Sequence, residues 1–128
     1  MATLDNVKEL IALAREGKFI EAIERFYAED ATMQENLESP RVGLAALLEN
    51  ERKVLAAVPD IHLEGVASFV VDGDRAAINW VFAYTDRNGR KIQLDEVAYQ
   101  EWRNGKIIRE RFYYDPAQRL RGVLDLLT

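Results

Sequence analysis

Three glutamates in this chain fall where strand alternation calls for apolar residues. Successive side chains of a strand point to opposite faces. In "ATMQENL", residues 31–37, Met33, Glu35 and Leu37 therefore share one side, and Thr32, Gln34 and Asn36 the other. In "KIIRERFYYD", Ile108, Glu110, Phe112 and Tyr114 share a face, with Arg109, Arg111 and Tyr113 opposite. In "RKIQLDEVAYQEWR", Glu96 aligns with Ile92, Leu94, Ala98 and Trp102, with Gln100 among them. A buried carboxylate is costly unless it finds a partner or holds its proton more tightly. A carboxyl tuned upward can take a proton from a carbon acid or give one to a leaving group. The candidate catalytic set is thus Glu35 as general base, with Glu110 or Glu96 as second acid or polariser. Structural alternatives stand beside it. Glu35 could be a wet rim residue, and Glu96 and Glu110 could pair with arginines across the sheet.

Side chains that could shape a pocket lie on the same faces. Ile78, Trp80, Phe82 and Tyr84 alternate in "RAAINWVFAYTD". With Trp102, Phe112 and Tyr114 they are the candidate substrate-binding residues, suited to a small apolar or carbonyl-bearing ligand. Tyr84, Tyr99 or Tyr114 could supply a hydroxyl donor, Tyr99 only from the opposite face. The aromatic faces could equally be solid core or an interface. His62 aligns with Asp60 and Glu64 on a polar side and reads as a surface residue. Asp115 before Pro116 reads as a helix cap.

The elements that must position these residues come in two blocks. Leu4, Val7, Leu10, Ile11 and Ala14 have helical spacing, with Thr3 as N-cap and Gly17 as stop. Phe19, Ile23, Phe26 and Tyr27 predict a second short helix. After the "ATMQENL" strand, "ESPR" breaks the pattern, and a third helix runs over 43–57, with Leu44, Leu47, Leu48, Leu55 and Val58 on one side and Pro59 closing it. Four strands follow, separated by "DGD", "DRNG" and "RNG", each a hairpin signal. "DPAQRLRGVLDLLT" predicts a last helix, with Leu120, Val123, Leu124 and Leu127 on its apolar side. The expectation is a single α+β domain over 1–128: N-terminal helices packed on a strongly curved antiparallel sheet, with an internal cavity.

Composition narrows the partners. With 128 residues, 48% apolar and 30% charged, the chain suits one soluble globular domain. A net charge of −5 without long like-charge runs argues against nucleic acid or an anionic membrane. No Cys means no thiolate chemistry, and a single His excludes a histidine cluster; an all-carboxylate metal site stays open but has no spacing signature here, so the expectation is no metal and no cofactor. No stretch is long and apolar enough to span a bilayer, and no secretion signal is evident, so a cytoplasmic location is expected.

The stretches "FYAEDATMQENLESPRVG" and "RNGKIIRERFYYDP", in this order of elements, resemble the nuclear transport factor 2-like superfamily, and within it the SnoaL-like group. The resemblance covers nearly the whole chain. It implies a cone of curved sheet closed by helices around a ligand cavity, and a homodimer formed through the sheet's outer face. Relatives include ketosteroid isomerases, polyketide cyclases, limonene-type epoxide hydrolases and non-enzymatic adaptors, so the fold alone names no reaction. Glu35 occupies the position of the isomerases' general base. Leu10 or Ile11 replaces their oxyanion tyrosine, and their protonated acid maps near Ala98, with Glu96 one step along the face. The His and Asp that follow "GKI" in SnoaL-like cyclases are replaced by Glu110 and Phe112. Three readings follow: a proton-transfer enzyme, a non-catalytic ligand-binding module, and a dimeric adaptor that pairs through Val81, Ala83, Val97 and Tyr99 and has no useful cavity.

Overall fold

The expected helical stripe of the N-terminal segment becomes α1 (Ala2–Arg15), which buries Val7, Leu10, Ile11, Leu13 and Ala14. The computed structural model describes residues 2–118, and the expected C-terminal helix with Leu120, Val123, Leu124 and Leu127 lies outside them. Helix α1 starts at Ala2, so Thr3, expected as its cap, sits within the first turn. It stops as expected: Lys18 N–H donates to the Leu13 carbonyl (2.9 Å) and Gly17 N–H to that of Ala14 (3.0 Å). Helix α2 (Phe19–Phe26) buries Ala22, Ile23 and Phe26. Tyr27, expected to close it, is instead the first residue of β1 (Tyr27–Glu35). A two-residue strand, β2 (Arg41–Val42), precedes α3 (Leu44–Ala57).

Strands β3 (His62–Asp72), β4 (Arg75–Thr85), β5 (Lys91–Arg103) and β6 (Lys106–Tyr113) form the expected antiparallel meander. The full sheet has the order β2-β1-β6-β5-β4-β3, and β1 runs parallel to β6. The architecture is α+β as expected, but the sheet is mixed rather than wholly antiparallel. A parallel pair needs a long crossover, and here α3 and the whole meander supply it.

Cross-strand pairing places one set of residues on the covered face. One row runs Val71, Ala76, Gln100, Glu110, Met33; the next runs Phe69, Ile78, Ala98, Phe112, Glu35; a third joins Val66, Trp80 and Glu96. Helix α1 packs on β3 and α3 on β1, so this face is covered from both edges. Irregularities in β3 fall between Leu63 and Gly65 and between Val66 and Ser68, and one in β6 gives Ile108 no partner between Ile107 and Arg109. Such bulges bend a strand and increase its twist. The β6 bulge reverses one expectation: Ile107 takes the inner position opposite Trp102 and is fully buried, while Ile108 is half-buried. Leu37 also departs from its expected face. Strand β1 ends at Glu35, Asn36 turns the chain with φ 51°, and Leu37 is 86% exposed.

Candidate functional site

A cavity of about 460 Å³ lies between the inner face of the sheet and the helices. Trp80 and Phe82 stack along one wall with centroids 5.8 Å apart, and Phe19 meets Phe82 edge-on at 6.0 Å. Glu35, Glu96 and Glu110 all line the cavity, as do Trp80, Phe82, Tyr84 and Phe112. Two of the expected binding residues do not line it. Trp102 is buried behind the site, edge-on to Phe26 at 5.9 Å. Tyr114 reaches the site through a hydrogen bond, its hydroxyl donating to Glu35 Oε1 at 2.7 Å.

Glu110 is the most deeply placed of the three acids at 2% exposure. Among the described residues no arginine pairs with it. The Tyr27 hydroxyl donates to its Oε1, and Gln100 Nε2 donates to Oε2 at 2.7 Å. Trp102 Nε1 in turn donates to Gln100 Oε1 at 2.9 Å. Burial pushes the Glu110 carboxyl up to about 7 against the pull of its two donors, with the negative charge of Glu51 adding to the rise. Burial likewise holds the Tyr27 phenol well above its usual range, reinforced by the neighbouring Glu110.

Glu35 sits nearer the solvent, its side chain 18% exposed and its Oε2 2.7 Å from Arg41 Nη2. It is therefore neither a free rim residue nor a buried solitary acid. Glu51, on α3, faces the same cavity. Burial raises its proton affinity, Arg41 opposes the rise, and Glu35 adds to it. Glu96 is 8% exposed and pairs with Trp80 across β4 and β5.

Tyr27, Arg41 and Glu51 are functional candidates that sequence reasoning missed. Glu51 had a signal, for it lies four residues after Leu47 and seven after Leu44, on the buried side of its helix. Arg41 had none, because a two-residue strand leaves no periodicity. Elsewhere the bland readings hold. His62 is exposed with Nδ1 3.0 Å from the Asp60 carbonyl. Asp115 Oδ1 accepts from Ala117 N–H at 2.9 Å, while the helix it was expected to cap lies outside the described residues. Tyr99 lies on the outer face, where its hydroxyl accepts from Arg75 Nη1 at 2.8 Å. Val97 is exposed on that face, and Val81 and Ala83 are half-buried. Among the described residues no group of three or more His, Cys, Asp or Glu could hold a metal ion, and no helix is long and apolar enough to cross a membrane.

The family model of the SnoaL-like domain matches residues 7–110. No curated protein matches the chain. Among solved structures, a Mesorhizobium loti protein assigned as a SnoaL-like polyketide cyclase is 28% identical, covers 89% of this chain and 100% of its own, and superposes with a TM-score of 0.75. A nuclear transport factor 2-like protein of unknown function from Burkholderia pseudomallei K96243 is 18% identical, with coverage of 96% and 98% and a TM-score of 0.82. TerC, co-crystallised with polyporic acid, is 20% identical, with coverage of 97% and 99% and a TM-score of 0.80. The last two share the cone-shaped fold of the chain.

Proposed function

The chain belongs to the SnoaL-like domain family, and we propose that its cone cavity takes up a small apolar, carbonyl-bearing or cyclic molecule and moves a proton to or from it. The observation that carries this reading is Glu110, a carboxyl group buried in the wall of an apolar cavity with only Tyr27 and Gln100 as hydrogen-bond partners among the described residues, where burial pushes its midpoint up to about 7. A group with that midpoint both gives and takes protons at neutral pH. In the proposed reaction Glu35 removes a proton from the carbon beside the carbonyl. The C–H electron pair becomes a C=C bond, and the carbonyl π pair moves to oxygen. Protonated Glu110 or the Tyr27 hydroxyl meets the enolate oxygen as a hydrogen-bond donor. In a β,γ-unsaturated ketone, return of the proton to the γ carbon of the dienolate completes an isomerisation; in a dicarbonyl substrate, attack of the enolate carbon on the second carbonyl closes a ring, and the new alkoxide takes up the proton that Glu35 removed. The Mesorhizobium loti relative, assigned as a polyketide cyclase, supports the ring-forming outcome.

A second reading, a cavity that holds its ligand unchanged, is favoured by one observation. The hydroxyl of Tyr27 and the amide of Gln100 are already engaged with Glu110, and Glu35 with Arg41 and Tyr114, so the acids of the cavity are held by partners of their own. Proton exchange separates the two. Apolar ketones and lactones incubated with the protein in heavy water, followed by NMR, are expected to take up deuterium beside the carbonyl. Glu35→Gln is expected to slow uptake by about 10²- to 10⁴-fold, the usual contribution of a positioned base. Binding without uptake in the wild-type protein selects the second reading, and uptake unchanged in Glu35→Gln removes Glu35 from the role of base.

A further inference from the structure

Glu110 is joined to a chain of buried polar groups that the proposed reaction does not use. Trp102 Nε1–H donates to Gln100 Oε1 (2.9 Å), and Gln100 Nε2–H donates to Glu110 Oε2 (2.7 Å). Gln100 is 0% and Trp102 2% exposed, so water offers neither an alternative partner. An indole N–H can only donate. An amide has one end that accepts and one that donates, so a donor on its oxygen leaves its NH₂ facing Glu110. A glutamine turned end for end would present a carbonyl oxygen there, which only a protonated carboxyl can satisfy.

The fold holds this order in place. Trp102 and Gln100 are two residues apart on β5 and share its inner face. The β6 bulge pairs Trp102 with Ile107, while Gln100 pairs with Glu110 in the next regular register. Phe26 packs edge-on against the indole, which restrains its rotation.

We propose that Trp102 is a positioning residue for this site: by fixing the Gln100 amide it decides that Glu110 is met by an N–H and not by a carbonyl oxygen. Its consequence for turnover rests on the reading of Glu110 as a proton carrier, but the orientation itself does not. Tyr27 on β1, Glu51 on α3 and Glu96 on β5 are the other titratable groups that act on Glu110 or on its tyrosine partner, and substitution at Trp102 leaves all three in place.

The test is a carbon-13 side-chain carboxyl titration of Glu110 in wild type, Trp102→Phe, Gln100→Leu and the double variant. Trp102→Phe frees the amide to turn and is expected to raise the Glu110 midpoint by about one pH unit, the scale of one hydrogen bond exchanged at a carboxyl oxygen. Gln100→Leu removes the donor and is expected to raise it as well. Adding Trp102→Phe to Gln100→Leu is expected to move it no further, because the effect passes through the amide. An unchanged midpoint in Trp102→Phe, or the same added rise without Gln100, overturns the proposal. Should Trp102→Phe fail to fold, the wild-type protein decides. Its Gln100 side-chain amide protons are expected to shift at the Glu110 midpoint, and amide signals indifferent to it overturn the proposal. A failure of deuterium uptake would remove the reaction while leaving this result standing.

Discussion

Glu110 accepts hydrogen bonds from Tyr27 and Gln100, and each bond favours the charged form, yet the carboxyl still holds its proton to about 7. Two donors do not match the hydration that a carboxylate loses at 2% exposure. That imbalance makes folding depend on pH. A carboxyl that binds its proton more tightly when folded stabilises the native state fully below its unfolded midpoint, about 4.5, and that contribution is lost as pH rises through about 7. Glu51 shifts in the same direction, whereas the exposed Asp60 and the half-buried Asp86 are shifted downward and act only in acid. Urea unfolding is therefore expected to show stability falling between pH 5 and 7.5, with Glu110 contributing on the order of 2–3 kcal/mol. Glu110→Gln, which cannot ionise, is expected to flatten the decline. A slope that survives intact in Glu110→Gln would assign it to another group. The side of the strand on which this residue lies was legible from alternation alone, because the bulge at Ile108 precedes Glu110 and leaves the register beyond it unchanged. Its partner Tyr27 was not. Nothing in "ERFYAED" marks the switch from helix to strand, and helical spacing runs on through Tyr27.

Element boundaries decide which side chains reach the cavity, and Gly43 is the sharpest of them. Its φ of 95° lies in the region that side chains disfavour, and its N–H donates to the Ala31 carbonyl at 2.8 Å. This bond ties the start of α3 to β1 and so sets where Glu51 stands relative to Glu35. A Cβ at this position would lie 3.8 Å from the Glu29 carbonyl, an ordinary contact, so the backbone conformation and not crowding opposes substitution. Gly43→Ala is expected to cost about 1–2 kcal/mol in urea unfolding. A cost near zero would mean that the turn relaxes without its glycine. Helix α3 was legible to within a residue because Gly43 and Pro59 bracket it. The parallel pairing of β1 with β6 was not, because it joins segments about seventy residues apart and leaves no local pattern. Leu37 shows the reverse error: alternation carried the strand past Asn36, where the chain had already turned.

For the whole molecule, one curved sheet and three helices leave a space of about 460 Å³, within the range of small-molecule sites. The three glutamates foreseen on apolar faces converge on that space, and the structure adds Tyr27, Arg41 and Glu51 to them. What the sequence could not supply was the division of labour among the acids. That division depends on burial and on partners brought from three elements, not on strand parity. Nearer the solvent Arg41 and Tyr114 hold Glu35 as a charge-paired group, and within the wall burial pushes the Glu110 carboxyl up to about 7 against the pull of Tyr27 and Gln100.

The most direct test of this account is the carbon-13 titration of the Glu110 side-chain carboxyl in the wild-type protein. The account predicts a midpoint near 7, with the proton half-bound at the pH where the reaction is proposed to run. A midpoint near 4.5 would make Glu110 an ordinary ionised acid and contradict its role as the cavity's proton carrier.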